Sequence, residues 1–284
     1  MKVRLLLSTQ RSGSYLLKSF IETHYPEVTC SGKVLDGPDA VDSQFPALAA
    51  YPEIPRFWSW YEREAVAGAL SVAPDKRLEA FAVYLSKLSA LVDPKDLVID
   101  ARYDSIRALS GYRDTDYGSH DFATFITSRE IPVLHLIRKN LLRVVVSHKL
   151  AQQTGVWHRT TELSSHEPLP RIRLNPKGVL SEIRYAFKLT QDYQNRFSGY
   201  PGYYEVIYED FIREQRYPEP GMQLRTLALF LEKAPSNANL AELPFKRTTP
   251  DDPSVVVENW QEVIRVIRTT EHGWMTDTPY LAAA

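Results

Sequence analysis

Seven consecutive residues near the start of the chain, Ser8 to Ser14 in "LLLSTQRSGSYLL", have the composition of an oxyanion cradle. Gly13 lets the backbone approach an anion closely, while Ser12 and Ser14 offer hydroxyl groups. Arg11 adds a permanent charge on a forked set of donors. A second stretch, "LIRKNLLRVVVS" (136–147), repeats the arrangement with Arg138, a cap residue and then Ser147. Arg143 and Ser147 are four apart and so share one face of a helix. Two such units, each an arginine at a loop followed by a serine on a helix, would hold two separate phosphates of one nucleotide.

Both units need a strand in front and a helix behind. Val3 to Leu7 reads as a short buried strand, and Ser14 to about His24 as a helix with Leu16, Leu17, Phe20 and Ile21 on its apolar face. "IPVLHLIR" (131–138) is almost wholly apolar, as an interior parallel strand should be. Asn140 then caps a helix over 140–153, despite the poor helix propensity of Val144 to Val146. "DLVIDARY" (96–103) and "YYEVIYEDF" (203–211) read as further strands. Helices are expected over 57–70, 75–92 and 175–197, the last with Asn175 as cap and Pro176 in its first turn. Residues 26–56, rich in Pro, Gly, Asp and Ser, read as loops around at most a short strand. Strand alternating with helix predicts an α/β, P-loop-like three-layer fold, a central parallel sheet with helices on both faces, as one domain over residues 1–284. In such a sheet the first loop lies at the carboxyl edge, where ligands bind.

Bulk composition excludes several classes. The 34 basic and 35 acidic side chains give a net charge of -1, against a nucleic-acid partner. The single cysteine, Cys30, cannot form an intrachain disulfide and reads as a small buried hydrophobe. No apolar run reaches the roughly 18 residues of a membrane span, and the run at the N-terminus ends after Leu7, too short for a secretory signal. A soluble, cytoplasmic protein is the simplest expectation. The oligomeric state is not readable. A nucleoside-triphosphate loop, G-x-x-x-x-G-K-[ST], does not match: Ser8 stands five before Gly13, and Ser14 stands where the lysine belongs.

"TQRSGS" (9–14) resembles the 5′-phosphosulfate loop of sulfotransferases that use 3′-phosphoadenosine 5′-phosphosulfate (PAPS), and "IRKNLLRVVVS" (137–147) resembles their 3′-phosphate motif. The likeness is closer to bacterial carbohydrate-type enzymes, such as those acting on nodulation factors and trehalose lipids. "YEDF" (208–211) and "VVVENWQEV" (255–263) resemble two further family segments, in the family's order. The resemblance implies that Arg11, Ser12, Gly13, Ser14 and Tyr15 cradle the 5′-phosphosulfate. It implies that Arg138 and Ser147 bind the 3′-phosphate, and that Lys246 or Arg247 closes over the nucleotide. The implied reaction is metal-free transfer of the sulfuryl group to a hydroxyl of a carbohydrate, glycolipid or small-metabolite acceptor, releasing the bisphosphate PAP. Arg11 then acts on the leaving oxygen.

The chain departs from the family where the general base is expected. "HYPEVTCSGKVLD" (24–36) has Lys33 in place of an acidic residue. Asp36 is the first candidate for the displaced base, and Asp100, read as ending its strand at the active edge, is the second. His135 reads as a satisfied core residue, His148 as pointing to another face, and His24 as either a base or an exposed helix end. Trp58, Trp60 and Tyr61 read as core, Trp260 as packing, and Glu209 with Asp210 as fixing a turn or helix start. The alternatives are a P-loop kinase or NTPase, or an inactive PAP-binding protein on the same scaffold.

Overall fold

The computed structural model describes residues 2–32, 34–35, 56–71, 73–92, 95–110, 119–155, 159–160, 170–214, 221–234, 245–246, 250 and 252–277. Five strands, β1 (Val3–Ser8), β2 (Val28–Cys30), β3 (Asp96–Arg102), β4 (Val133–Ile137) and β5 (Tyr203–Ile207), form one sheet in the order β2-β3-β1-β4-β5. Every pairing in it is parallel. The fold is therefore three-layer α/β, as the alternation of elements predicts.

The layers follow from the alternation of side chains along a strand. Leu5 and Leu7 of β1 face one side of the sheet and pack with α2 (Phe57–Val66), α3 (Arg77–Val92), α4 (Tyr103–Leu109), α5 (Ser119–Ser128) and the C-terminal half of α7 (Pro176–Phe197). Leu6 faces the other side, against α1 (Ser14–His24), α8 (Tyr208–Glu214) and α9 (Met222–Leu231). A third apolar cluster joins α6 (Leu141–Thr154), the start of α7 and α10 (Trp260–Arg268). Asn259 stitches that cluster, accepting from the Leu174 amide at 3.0 Å and donating to the Leu174 carbonyl at 2.8 Å. Trp58, Trp60, Tyr61 and Trp260 all pack against apolar clusters, and Cys30 is buried, as expected.

Both expected caps form. Asn140 Oδ1 accepts from the Arg143 amide, and Asn175 Oδ1 from the amides of Lys177 and Gly178. The valine run 144–146 is helical and buried, because a wholly apolar face suits a helix packed against the start of α7 and against α10. Two sequence expectations are corrected. "YYEVIYEDF" is not one strand: β5 stops at Ile207, where its partner β4 also ends, and α8 begins at Tyr208 with Glu209 and Asp210 in its first turn. Carboxylates there suit the positive end of a helix. Asp100 does not end β3, which continues through Ala101 to Arg102, paired with Ser8.

The connection from β1 runs to β2 on one side of the sheet, while the connection from β3 runs to β4 on the other. Crossovers that reverse about β1 open the carboxyl edge beside it, where the candidate loops lie.

Candidate functional site

The loop from β1 to α1 turns in five residues, and it does so with two left-handed backbones: Arg11 at φ 62° and Gly13 at φ 97°. At Gly13 the glycine is required twice over. A Cβ there would be strained by the positive φ and would run into the ring of Tyr208. Arg11 does have a Cβ, and a left-handed conformation costs such a residue about 1–2 kcal/mol. Its carbonyl accepts from Arg138 Nη1 at 2.9 Å, and its own Nε donates to Ser147 Oγ at 3.0 Å. These two bonds hold the strained turn and tie it to the second unit.

No side chain caps α1, so its first-turn amides face the end of the loop with their positive dipole. Ser12 is fully buried, and its Oγ makes no hydrogen bond among the described residues. Ser14, nearly buried, opens the helix. The ring of Tyr15 lies 4.2 Å from Lys18 Nζ. The residues of the first loop thus present amides, hydroxyls and one guanidinium around a single turn.

Arg138 follows β4 directly. Its guanidinium sits 4.6 Å from the centre of the Tyr208 ring, and Nε is 3.9 Å from Glu209 Oε1. Glu209 also accepts from the amides of Lys139 and Asn140, each at 3.1 Å. Asn140 Nδ2 donates to the Met275 carbonyl at 3.0 Å, which anchors the turn to the C-terminal part of the chain. One turn later the helix face divides: Ser147 meets Arg11, whereas Arg143 Nη1 reaches the Pro250 carbonyl at 3.3 Å.

A third guanidinium, Arg102, escapes the sequence reading. It ends β3, paired in register with Ser8 at the start of the first loop. Burial lowers its pKa, with the field of Tyr15 and then Asp104 opposing. The signal was present in "DARY", where a basic residue closes a buried strand. Burial likewise holds Arg11 down to about 10, the neighbouring charge of Arg138 adding to the effect and Tyr15 opposing it. Guanidinium groups whose charged form is disfavoured gain most from an incoming anion. Lys18, also missed, forms a buried ion pair with Asp100 Oδ2 at 2.8 Å and donates to the Ser31 carbonyl at 3.2 Å. Asp100, the second candidate base, is thereby tied beneath α1 with 2% of its side chain exposed.

The remaining candidates divide. Asp36, Lys33 and Arg247 lie outside the described residues, as does the side chain of Lys246, whose backbone pairs with Arg159. His135 is fully buried between two phenols, with Nδ1 2.6 Å from Tyr203 Oη and Nε2 bonded to Tyr103 Oη. Burial lowers its pKa to about 3, which is the satisfied core residue expected. His24 is not an exposed helix end: it is buried, its ring 4.4 Å from that of Phe20. His148 is half-buried. Burial lowers its pKa, Lys149 and Arg11 push the same way, and Glu182 and Asp104 oppose.

Among the described residues, no group of His, Cys, Asp or Glu could hold a metal ion, and no helix is long and apolar enough to cross a membrane. The chain matches no family model and no curated protein.

Proposed function

We propose that the chain is a PAPS-dependent sulfotransferase, moving a sulfuryl group to a hydroxyl of a carbohydrate, glycolipid or small metabolite. The observation that carries this reading is the pair of bonds joining the two loops, Arg11 Nε to Ser147 Oγ and Arg138 Nη1 to the Arg11 carbonyl. One phosphate loop on a parallel sheet suits many anions. Two loops, each with an arginine and a serine and in direct contact, suit a ligand with two separate anionic ends. The absence of a lysine at position 14 weighs against a nucleoside triphosphate.

In this reading the acceptor hydroxyl attacks sulfur, and the bond between sulfur and the bridging phosphate oxygen breaks. Negative charge grows on that oxygen. Arg11 and the α1 amides supply fixed positive potential in a partly buried setting, where it acts more strongly than in water. Arg138, Ser147 and the edge residue Arg102 hold the anionic ends of the donor, and Lys246 or Arg247 closes over it. The acceptor's proton goes to a base, for which Asp36 is the first candidate and Asp100 the second. The buried pair with Lys18 favours a positioning role for Asp100 and leaves Asp36 ahead.

The test is transfer of label from PAPS carrying ³⁵S, without added metal, to a panel of hydroxylated acceptors, together with calorimetry of PAP and of ATP with Mg²⁺. The expected result is PAP binding, with label reaching an acceptor of the sugar or glycolipid class. Tight binding of ATP with Mg²⁺ and none of PAP would overturn the proposal.

A further inference from the structure

The segment "YEDF" touches both candidate loops at once. The ring of Tyr208 fills the space where a side chain at Gly13 would be, and the same ring lies 4.6 Å from the Arg138 guanidinium. Its neighbour Glu209 takes the amides of Lys139 and Asn140, fixing the turn that aims Arg138. Arg138 in turn bonds the carbonyl of Arg11, whose left-handed backbone needs an outside hold. Neither Tyr208 nor Glu209 takes part in the transfer step proposed above.

We infer that Tyr208 and Glu209 are positioning residues, a brace at the start of α8 that makes the β1 and β4 loops one mechanical unit. The inference rests on the two-loop donor site proposed above and deepens it. Arg138 is then more than a ligand for one phosphate: seated on Tyr208, it also sets the shape of the loop that receives the other. Disturbing the ring weakens both halves of the site, because the ring packs beside Gly13 and under Arg138 while its other side joins the apolar cluster against α1.

The experiment compares Tyr208→Leu with Tyr208→Phe. Leucine keeps apolar volume and loses the aromatic face that a cation favours, while phenylalanine keeps both. Two ligands separate the halves: PAP, and 5′-AMP, which has no 3′-phosphate. Tyr208→Leu is expected to weaken both by about tenfold, the size of effect that an outer partner of a binding side chain commonly has, and Tyr208→Phe to stay within about twofold of wild type. A loss confined to PAP would mean the ring serves Arg138 alone and would overturn the brace, as would no loss at all. A ligand-free arm keeps the two ideas apart. In the unliganded protein, Tyr208→Leu is expected to speed amide hydrogen exchange at 9–15 and 138–143, with Tyr208→Phe unchanged. Unchanged exchange, or acceleration spread over the whole chain, would overturn the brace. If wild type binds neither nucleotide, the sulfotransferase reading fails while this arm still decides the brace.

Discussion

Two arginines, one within the start of β1 and one in the loop that leaves its other end, stand in opposite circumstances. At the amino end of β1, Arg4 is 1% exposed and each of its three nitrogens is bonded: Nε donates to the Phe230 carbonyl at 2.9 Å, Nη2 to that of Leu231 at 3.0 Å, and Nη1 to Asp96 Oδ2 at 2.9 Å. Asp96 is held below the usual carboxylate range. Burial pushes it up, but the Lys2 amide and then Arg4 outweigh that effect. At the carboxyl end, Arg11 has a hydroxyl for its Nε, a second guanidinium in its field and a depressed pKa. A charge that serves the fold is matched by the fold. Arg11, which we propose faces a ligand, sits where burial and the charge of Arg138 disfavour its own, at some expense in stability.

That contrast can be broken from either end. The largest effect is expected from Arg4→Met, which leaves Asp96 without its principal cation and strands two carbonyls. A loss of about 3–5 kcal/mol in urea unfolding is the magnitude for a severed buried pair. A loss under about 1 kcal/mol would show that the bonds of Arg4 do little for the fold.

Acid unfolding comes next. The His135 pKa falls from 6.5 to about 3 in the folded state, so the unfolded chain takes up a proton that the folded chain refuses. Stability is thus expected to decline as pH drops from about 6.5 toward 3, by on the order of 4 kcal/mol at about 1.4 kcal/mol per unit. Unfolding midpoints measured across that window check the sign. A His135→Asn variant should show a flatter acid limb. The smallest expected effect is Arg11→Met. Because its charge is disfavoured where it sits, stability should stay within about 1 kcal/mol of wild type or rise, while anion binding is lost. Severe unfolding of Arg11→Met would erase the distinction between the two ends.

The parts legible in the sequence were local ones. A cap followed by periodic apolar residues gave α6 and α7, even through the three valines 144–146. Apolar runs beside Gly13 and Arg138 gave the strand–loop–helix units and the three-layer class. What escaped was set by distant partners. Nothing within "YYEVIYEDF" says that the ladder stops at Ile207, because the limit is the end of β4. Lys18 is an ordinary helix lysine until β3 places Asp100 beneath it, 82 residues along the chain. Arg102 becomes part of the edge only through its register with Ser8.

Both loops are proposed to form one donor site, and Arg138, part of the second loop, bonds the first through the Arg11 carbonyl. The most direct measurement is calorimetric titration of PAP into wild type and a folded Arg138→Ala variant. Loss of a charge-assisted phosphate contact predicts affinity weaker by about 1.5–3 kcal/mol. Unchanged affinity in the folded variant would contradict the account.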